Sequence, residues 1–180
     1  MHMTIGVLVE AKNEKKALAC AETVMERLCE NQYPFDYYNI LEHQDPQNAI
    51  DFITDGQAKE FKWTDVCTAD SALGKIEIKA LMEYTKSNFM GNLKKVKEVL
   101  AKFSDKEIYN EDSKNRTERD DLNFFKYLCS CLGQYSGSEI HLYDRGGVGI
   151  RCPEMLERNL TISGKENETQ VFIVCADVHF

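Results

Sequence analysis

Residues 171–178 read Val-Phe-Ile-Val-Cys-Ala-Asp-Val, an apolar run broken by a single charge. Successive side chains of a strand point to opposite faces, so a run this continuous is apolar on both. The segment 170–180 is therefore predicted to be a strand in the middle of a sheet, covered on each side. A chain that closes on such a strand must supply it with neighbours from elsewhere in the sequence.

The first neighbour is Thr4–Val9, where Ile5, Val7 and Val9 share one face and Leu8 takes the other. Asn13 can cap the helix that follows, with Ala17, Leu18, Ala21, Val24, Met25 and Leu28 at three- and four-residue steps. Asn31–Pro34 ends it, and the aromatic stretch Phe35–Leu41 is expected to return as a strand beside the first. This is a ferredoxin-like start.

Further along, the pattern from Glu42 to Gly56 is weak. Phe61–Cys67 reads as a short strand, and Ile76–Tyr84 fits a helix or a strand equally. Phe89, Leu93, Val96, Val99, Leu100 and Phe103 mark a helix over 88–103, and Leu122, Phe125, Leu128 and Leu132 another. Between these helices, 104–121 is rich in both charge signs without an apolar stripe, which predicts a flexible, solvated loop or frayed helix. In the tail, 139–143, 149–152 and 159–163 are expected to be strands, with a turn at 144–147. The sum is a single α+β domain over 1–180: a mainly antiparallel sheet with about three helices packed on one face.

Composition limits the function. No apolar run approaches the roughly 20 residues of a membrane span, and no basic segment leads into an apolar core, so a cytoplasmic protein without membrane contact is expected. The seven cysteines are scattered among apolar neighbours and read as reduced thiols. A net charge of -8 argues against nucleic acid as a direct ligand, because that binding needs clustered Lys and Arg. The acidity is concentrated at the front, with eleven acidic against five basic side chains in residues 1–60.

Three places carry chemistry worth weighing. The stretch Asp144-Arg145-Gly146-Gly147-Val148-Gly149-Ile150-Arg151 could hold an anion between its glycine N–H groups and Arg145 and Arg151, although its spacing is that of neither known phosphate-binding loop. Two glycines between strand-like segments favour a tight hairpin turn instead. His141 lies three residues before Asp144, and His179 two after Asp177; the second pair shares a sheet face and could touch. Together His141, Asp144, Arg145, Arg151, Asp177 and His179 form an alternative ligand site. Finally, Asp36, Glu42, Asp45, Asp51 and Asp55 fall in a stretch without Lys or Arg, and such a surface could meet a basic groove on a partner. No residue set is assigned as catalytic or metal-binding, and no cofactor is expected.

Gly6-Val7-Leu8-Val9-Glu10-Ala11, then Phe35-Asp36-Tyr37-Tyr38-Asn39-Ile40, and the closing Val174-Cys175-Ala176-Asp177-Val178-His179-Phe180 resemble a loose group of uncharacterised phage and mobile-element proteins. In that group a strand and helix lead to an Asp-Tyr/Trp-Tyr segment and the chain closes on a strand ending Asp-Cys-His-Ile. Leu41-Glu42-His43-Gln44 replaces the group's Gly-Gly-Arg-Trp, so the likeness covers the two ends only. The resemblance implies a small acidic interaction protein, with inhibitors of host nucleases among the class. The expected function is thus non-enzymatic: an acidic protein that blocks a basic, nucleic-acid-handling partner such as a CRISPR nuclease. The alternative is a small enzyme or anion-binding domain at the Asp144–Arg151 turn.

Overall fold

The computed structural model describes residues 2–30, 34–41, 63–110, 116–133, 139–161 and 169–179. Strands β1 (His2–Ala11) and β5 (Gln170–His179) pair antiparallel over all ten residues, from His2 opposite His179 to Ala11 opposite Gln170. On the other edge of β5 lie two short strands. β2 (Tyr37–Ile40) pairs with its last four residues, and β3 (Val66–Thr68) pairs with Phe172–Val174. β4 (Leu142–Tyr143) runs parallel to β1 on the outer side. The fold is mixed α+β and its sheet is mostly antiparallel, in the order β2-β5-β1-β4.

The closing strand is central, as its two apolar faces require. One expectation changes: the segment after the first helix does not return beside β1. β1 and β2 run parallel with β5 between them, the split strand–helix–strand arrangement of a ferredoxin-like start. The slot goes to β5 because a ten-residue strand apolar on both faces buries more there than at an edge.

Helix α1 (Glu14–Cys29) begins at Asn13, whose side-chain oxygen accepts the Lys16 N–H at 3.0 Å. It lays Ala17, Ala21, Val24, Met25 and Leu28 on Ile5, Val7 and Val9 of β1 and on Val174, Ala176 and Val178 of β5. The opposite face is covered as well. There Ile78 and Leu81 of α2 (Ala72–Lys102) and Met155 and Leu156 of α5 (Pro153–Thr161) pack with Leu8, Ile173 and Cys175. Helices on both faces correct the expected packing on one face. A bare face would leave Leu8, Ile173 and Val171 in water, at a cost of about 25 cal/mol per Å² of apolar surface.

Other boundaries shift too. α2 is one helix through both of the segments 76–84 and 88–103. Residues 159–161, expected in a strand, are the end of α5, which starts with proline at its first helical position. Of the strand expected over 61–67, the described residues 63–67 are in β3 only from Val66, and that over 139–143 is formed only from Leu142. The segment 104–121 contains α3 (Asp105–Tyr109), where the Glu107 carboxylate accepts the N–H and hydroxyl of Ser104, and the start of α4 (Arg116–Gly133).

Contacts gather into two compact units, residues 1–85 with 135–180, and residues 86–134. The first holds the sheet, α1, α5 and the first half of α2. The second holds the rest of α2 with α3 and α4; within it Lys102 pairs with Asp121 at 2.6 Å, and Lys95 lies 5.5 Å from the centre of the Phe124 ring. No helix among the described residues is long and apolar enough to cross a membrane.

Candidate functional site

The α2 face of the sheet changes character along its length. On β5 it presents Val171, Ile173, Cys175, Asp177 and His179 in turn, and on β1 Leu8, Gly6, Thr4 and His2. The apolar half lies under α2, close enough that a Cβ at Gly6 would sit 2.5 Å from Leu81 Cδ1. In this half a carboxyl is buried. Glu77 has no solvent exposure, and its Oε1 accepts the Thr64 N–H at 2.6 Å and the Thr64 hydroxyl at 2.8 Å. Its Oε2 faces the thiols of Cys67 at 3.4 Å and Cys175 at 3.8 Å. Burial raises the Glu77 carboxyl above the ordinary glutamate value. Burial, with Glu77 adding to it, pushes Cys67 up to about 11 and Cys175 well above the usual thiol range. Both sulfurs are thus protonated at neutral pH and act as packing groups rather than nucleophiles.

At the polar end, His2 Nδ1 hydrogen-bonds to Asp177 Oδ2 at 2.9 Å, and His179 Nδ1 to Asp36 Oδ2 at 2.9 Å. The two imidazoles meet with centroids 5.1 Å apart, and Tyr37 stacks on His179 at 5.5 Å. Three residues singled out from the sequence, Asp36, Asp177 and His179, are therefore brought together. Asp177 and His179 share a face, but each takes a carboxylate–imidazole partner from another strand or loop, because the register sets His2 opposite His179. His2 was not anticipated as a site residue, and Tyr37 entered only as part of the aromatic segment after the first helix.

The Asp144–Arg151 segment is a tight turn. Asp144 Oδ1 accepts the N–H groups of Gly146 at 2.8 Å and Val148 at 2.9 Å, and Gly147 takes the positive φ of 77° that glycine accommodates. Two N–H groups that could cradle an anion are thereby occupied. Arg145 reaches Glu10 at 3.3 Å, whereas His141 Nδ1 donates to the Thr4 carbonyl at 2.8 Å. Thr4 and Glu10 are six residues apart on β1, about 20 Å of strand, so His141 and Arg145 do not converge. Burial lowers the His141 pKa and favours the neutral ring. Arg151 is half-exposed. Of the acidic stretch, Glu42, Asp45, Asp51 and Asp55 lie outside the described residues; only Asp36 is seen.

The apolar half of the same face opens into a groove of about 650 Å³ between α2 and α5. Ala69, Ile78, Met82, Leu156, Leu160 and Val171 supply apolar walls, and the exposed Lys75 and Lys79 stand along the α2 side. It exists because α5 covers the sheet incompletely: none of its residues is fully buried. The groove was missed in the sequence because residues 153–158 were assigned to no element and 159–163 were expected to be a strand. The signal was present, as Pro153 followed by Met155, Leu156 and Leu160 fits a short amphipathic helix.

No curated protein and no solved structure is detectably similar to the chain. One family profile matches it along its whole length, residues 1–180, and on that match the chain belongs to DUF7995, a family described as a domain of unknown function.

Proposed function

We propose that this chain is a non-enzymatic binding protein that takes an apolar partner into the groove between α2 and α5. The observation carrying the reading is the groove itself: about 650 Å³ of space walled mainly by apolar side chains, within the range of roughly 300–1,000 Å³ usual for ligand sites. Nile red, a neutral apolar dye, tests it. Saturable binding with one equivalent is expected, weakened at least tenfold in Leu160→Trp, which fills the groove from a partly exposed position. Absence of saturable binding, or equal affinity in a folded Leu160→Trp variant, defeats the reading.

A second reading keeps the acidic stretch as a surface for a basic, nucleic-acid-handling partner such as a CRISPR nuclease. One observation favours it. The Leu41 N–H donates to the Cys175 carbonyl at 3.2 Å, and the Cys175 N–H donates to the Asp65 carbonyl at 3.0 Å, so the chain leaves and rejoins the central strand at one residue on either side of Glu42, Asp45, Asp51 and Asp55. Neutralising Asp45, Asp51 and Asp55 together is expected to weaken binding to such a partner and to flatten its salt dependence. Unchanged affinity would sink this surface.

A further inference from the structure

The groove also carries a charge pattern, which narrows what can occupy it; this step rests on the groove being a binding site. Lys75 and Lys79 are four residues apart on α2, so their stems rise from one side of the helix with about 6 Å between them along its axis. Both are exposed, and neither ammonium has a hydrogen bond or ion pair among the described residues, although those of Lys94 and Lys102 on the same helix both do. The groove is also lined by two carboxylates, Asp70 just before α2 and Glu83 one turn beyond Lys79. From Ala72 to Glu83 alone is about 16 Å of helix, so they cannot converge on one cationic group, whereas the two ammoniums can share one anion. Behind the lysines the walls are Ile78, Met82, Leu156, Leu160 and Val171. At about 30 Å³ for each water-sized group, the space holds on the order of twenty heavy atoms.

We infer that the groove binds a single-tailed amphipathic anion, with its head between Lys75 and Lys79 and its alkyl chain beneath α5. The acid group stays near water, where the ammoniums attract it without a large desolvation cost, and the tail leaves water altogether. A neutral alcohol of the same length loses the head contact, and a quaternary ammonium meets like charge.

Calorimetric titration of the full chain at low ionic strength tests this with decanoate, decyl phosphate, decanol and decyltrimethylammonium. At least one of the two anions is expected to bind about fivefold or more tighter than decanol, with the ammonium weakest; whichever anion binds better identifies the head group. The double variant K75Q/K79Q, whose changes lie on exposed side chains, should erase the preference over decanol, with circular dichroism showing an intact fold. Anions no better than decanol, or a preference that survives K75Q/K79Q, overturns the assignment. If Nile red binds and is lost in Leu160→Trp while the anion preference is absent, the ligand class falls and the groove stands. If Nile red does not bind either, both fall.

Discussion

The Glu77 carboxyl gives the sharpest physical test of this fold. It lies without solvent exposure in the apolar cluster between α2 and the sheet, and burial raises its pKa above the ordinary 4.5. Below the ordinary value it is protonated folded and unfolded, so its favourable contribution is fully present. As pH rises through the elevated folded value, the unfolded chain releases the proton more readily and stability is lost. Glu77→Gln removes this dependence: its carbonyl oxygen can still accept from Thr64, and no charge forms. The variant is expected to stay within about 1 kcal/mol of the parent at pH 5 and to gain on it toward pH 8. Glu77→Leu instead strands the Thr64 N–H, which donates at 2.6 Å, and should lose about 1–3 kcal/mol at pH 5. Urea denaturation followed by fluorescence of Trp63, the single tryptophan and a member of the same cluster, reads both. With a urea slope of about 1–3 kcal/mol per molar, each kcal/mol moves the midpoint by roughly 0.3–1 M. A Glu77→Gln midpoint that tracks the parent from pH 5 to 8, or falls behind it as pH rises, refutes the reasoning.

Gly6→Ala places a Cβ 2.5 Å from Leu81 Cδ1 and 3.1 Å from Ile173 Cδ1; a loss of about 1–3 kcal/mol is expected in the same urea assay. Asp144→Ala leaves two turn N–H groups without their acceptor and should cost roughly 0.5–1.5 kcal/mol, with only small changes in far-ultraviolet circular dichroism. His141 is held neutral by burial, its pKa lowered from the ordinary 6.5, so its contribution is present above that value and is lost as pH falls through the lowered one. His141→Gln should therefore flatten the acid limb of the thermal-stability profile, and an unchanged limb would show that other groups govern it.

The central strand connects the features of the α2 face. β5 is the common neighbour of β1, β2 and β3, and its α2-side residues run from apolar Val171 to polar His179. One strand thereby supplies a wall of the groove, a thiol against Glu77, and the carboxylate and imidazole of the polar end. The groove forms where α5 covers this strand only in part.

Much of this scaffold was readable from local pattern. The apolar continuity of 171–178, the stripe of α1 with its Asn13 cap, and the two glycines of the Asp144 turn all act within a few residues, and each led to the right element. Local pattern failed where two signals competed. β-favouring Thr161 and Ile162 drew the end of α5 into an expected strand, although Pro153 marked a helix start. Glu77 sits between Ile76 and Ile78, and a lone carboxylate there reads as surface until Thr64, Cys67 and Cys175 are folded around it.

By itself the sequence determined the mixed α+β class, the central place of its last strand and the position of its best helix, because hydrophobic period and capping are short-range properties. Only tertiary structure decided that helices cover both faces, that β5 separates β1 from β2, and that His179 meets Asp36 across 143 residues. Register is the reason. Which residues face one another across strands depends on how the whole apolar set is buried at once, and no local segment contains that information.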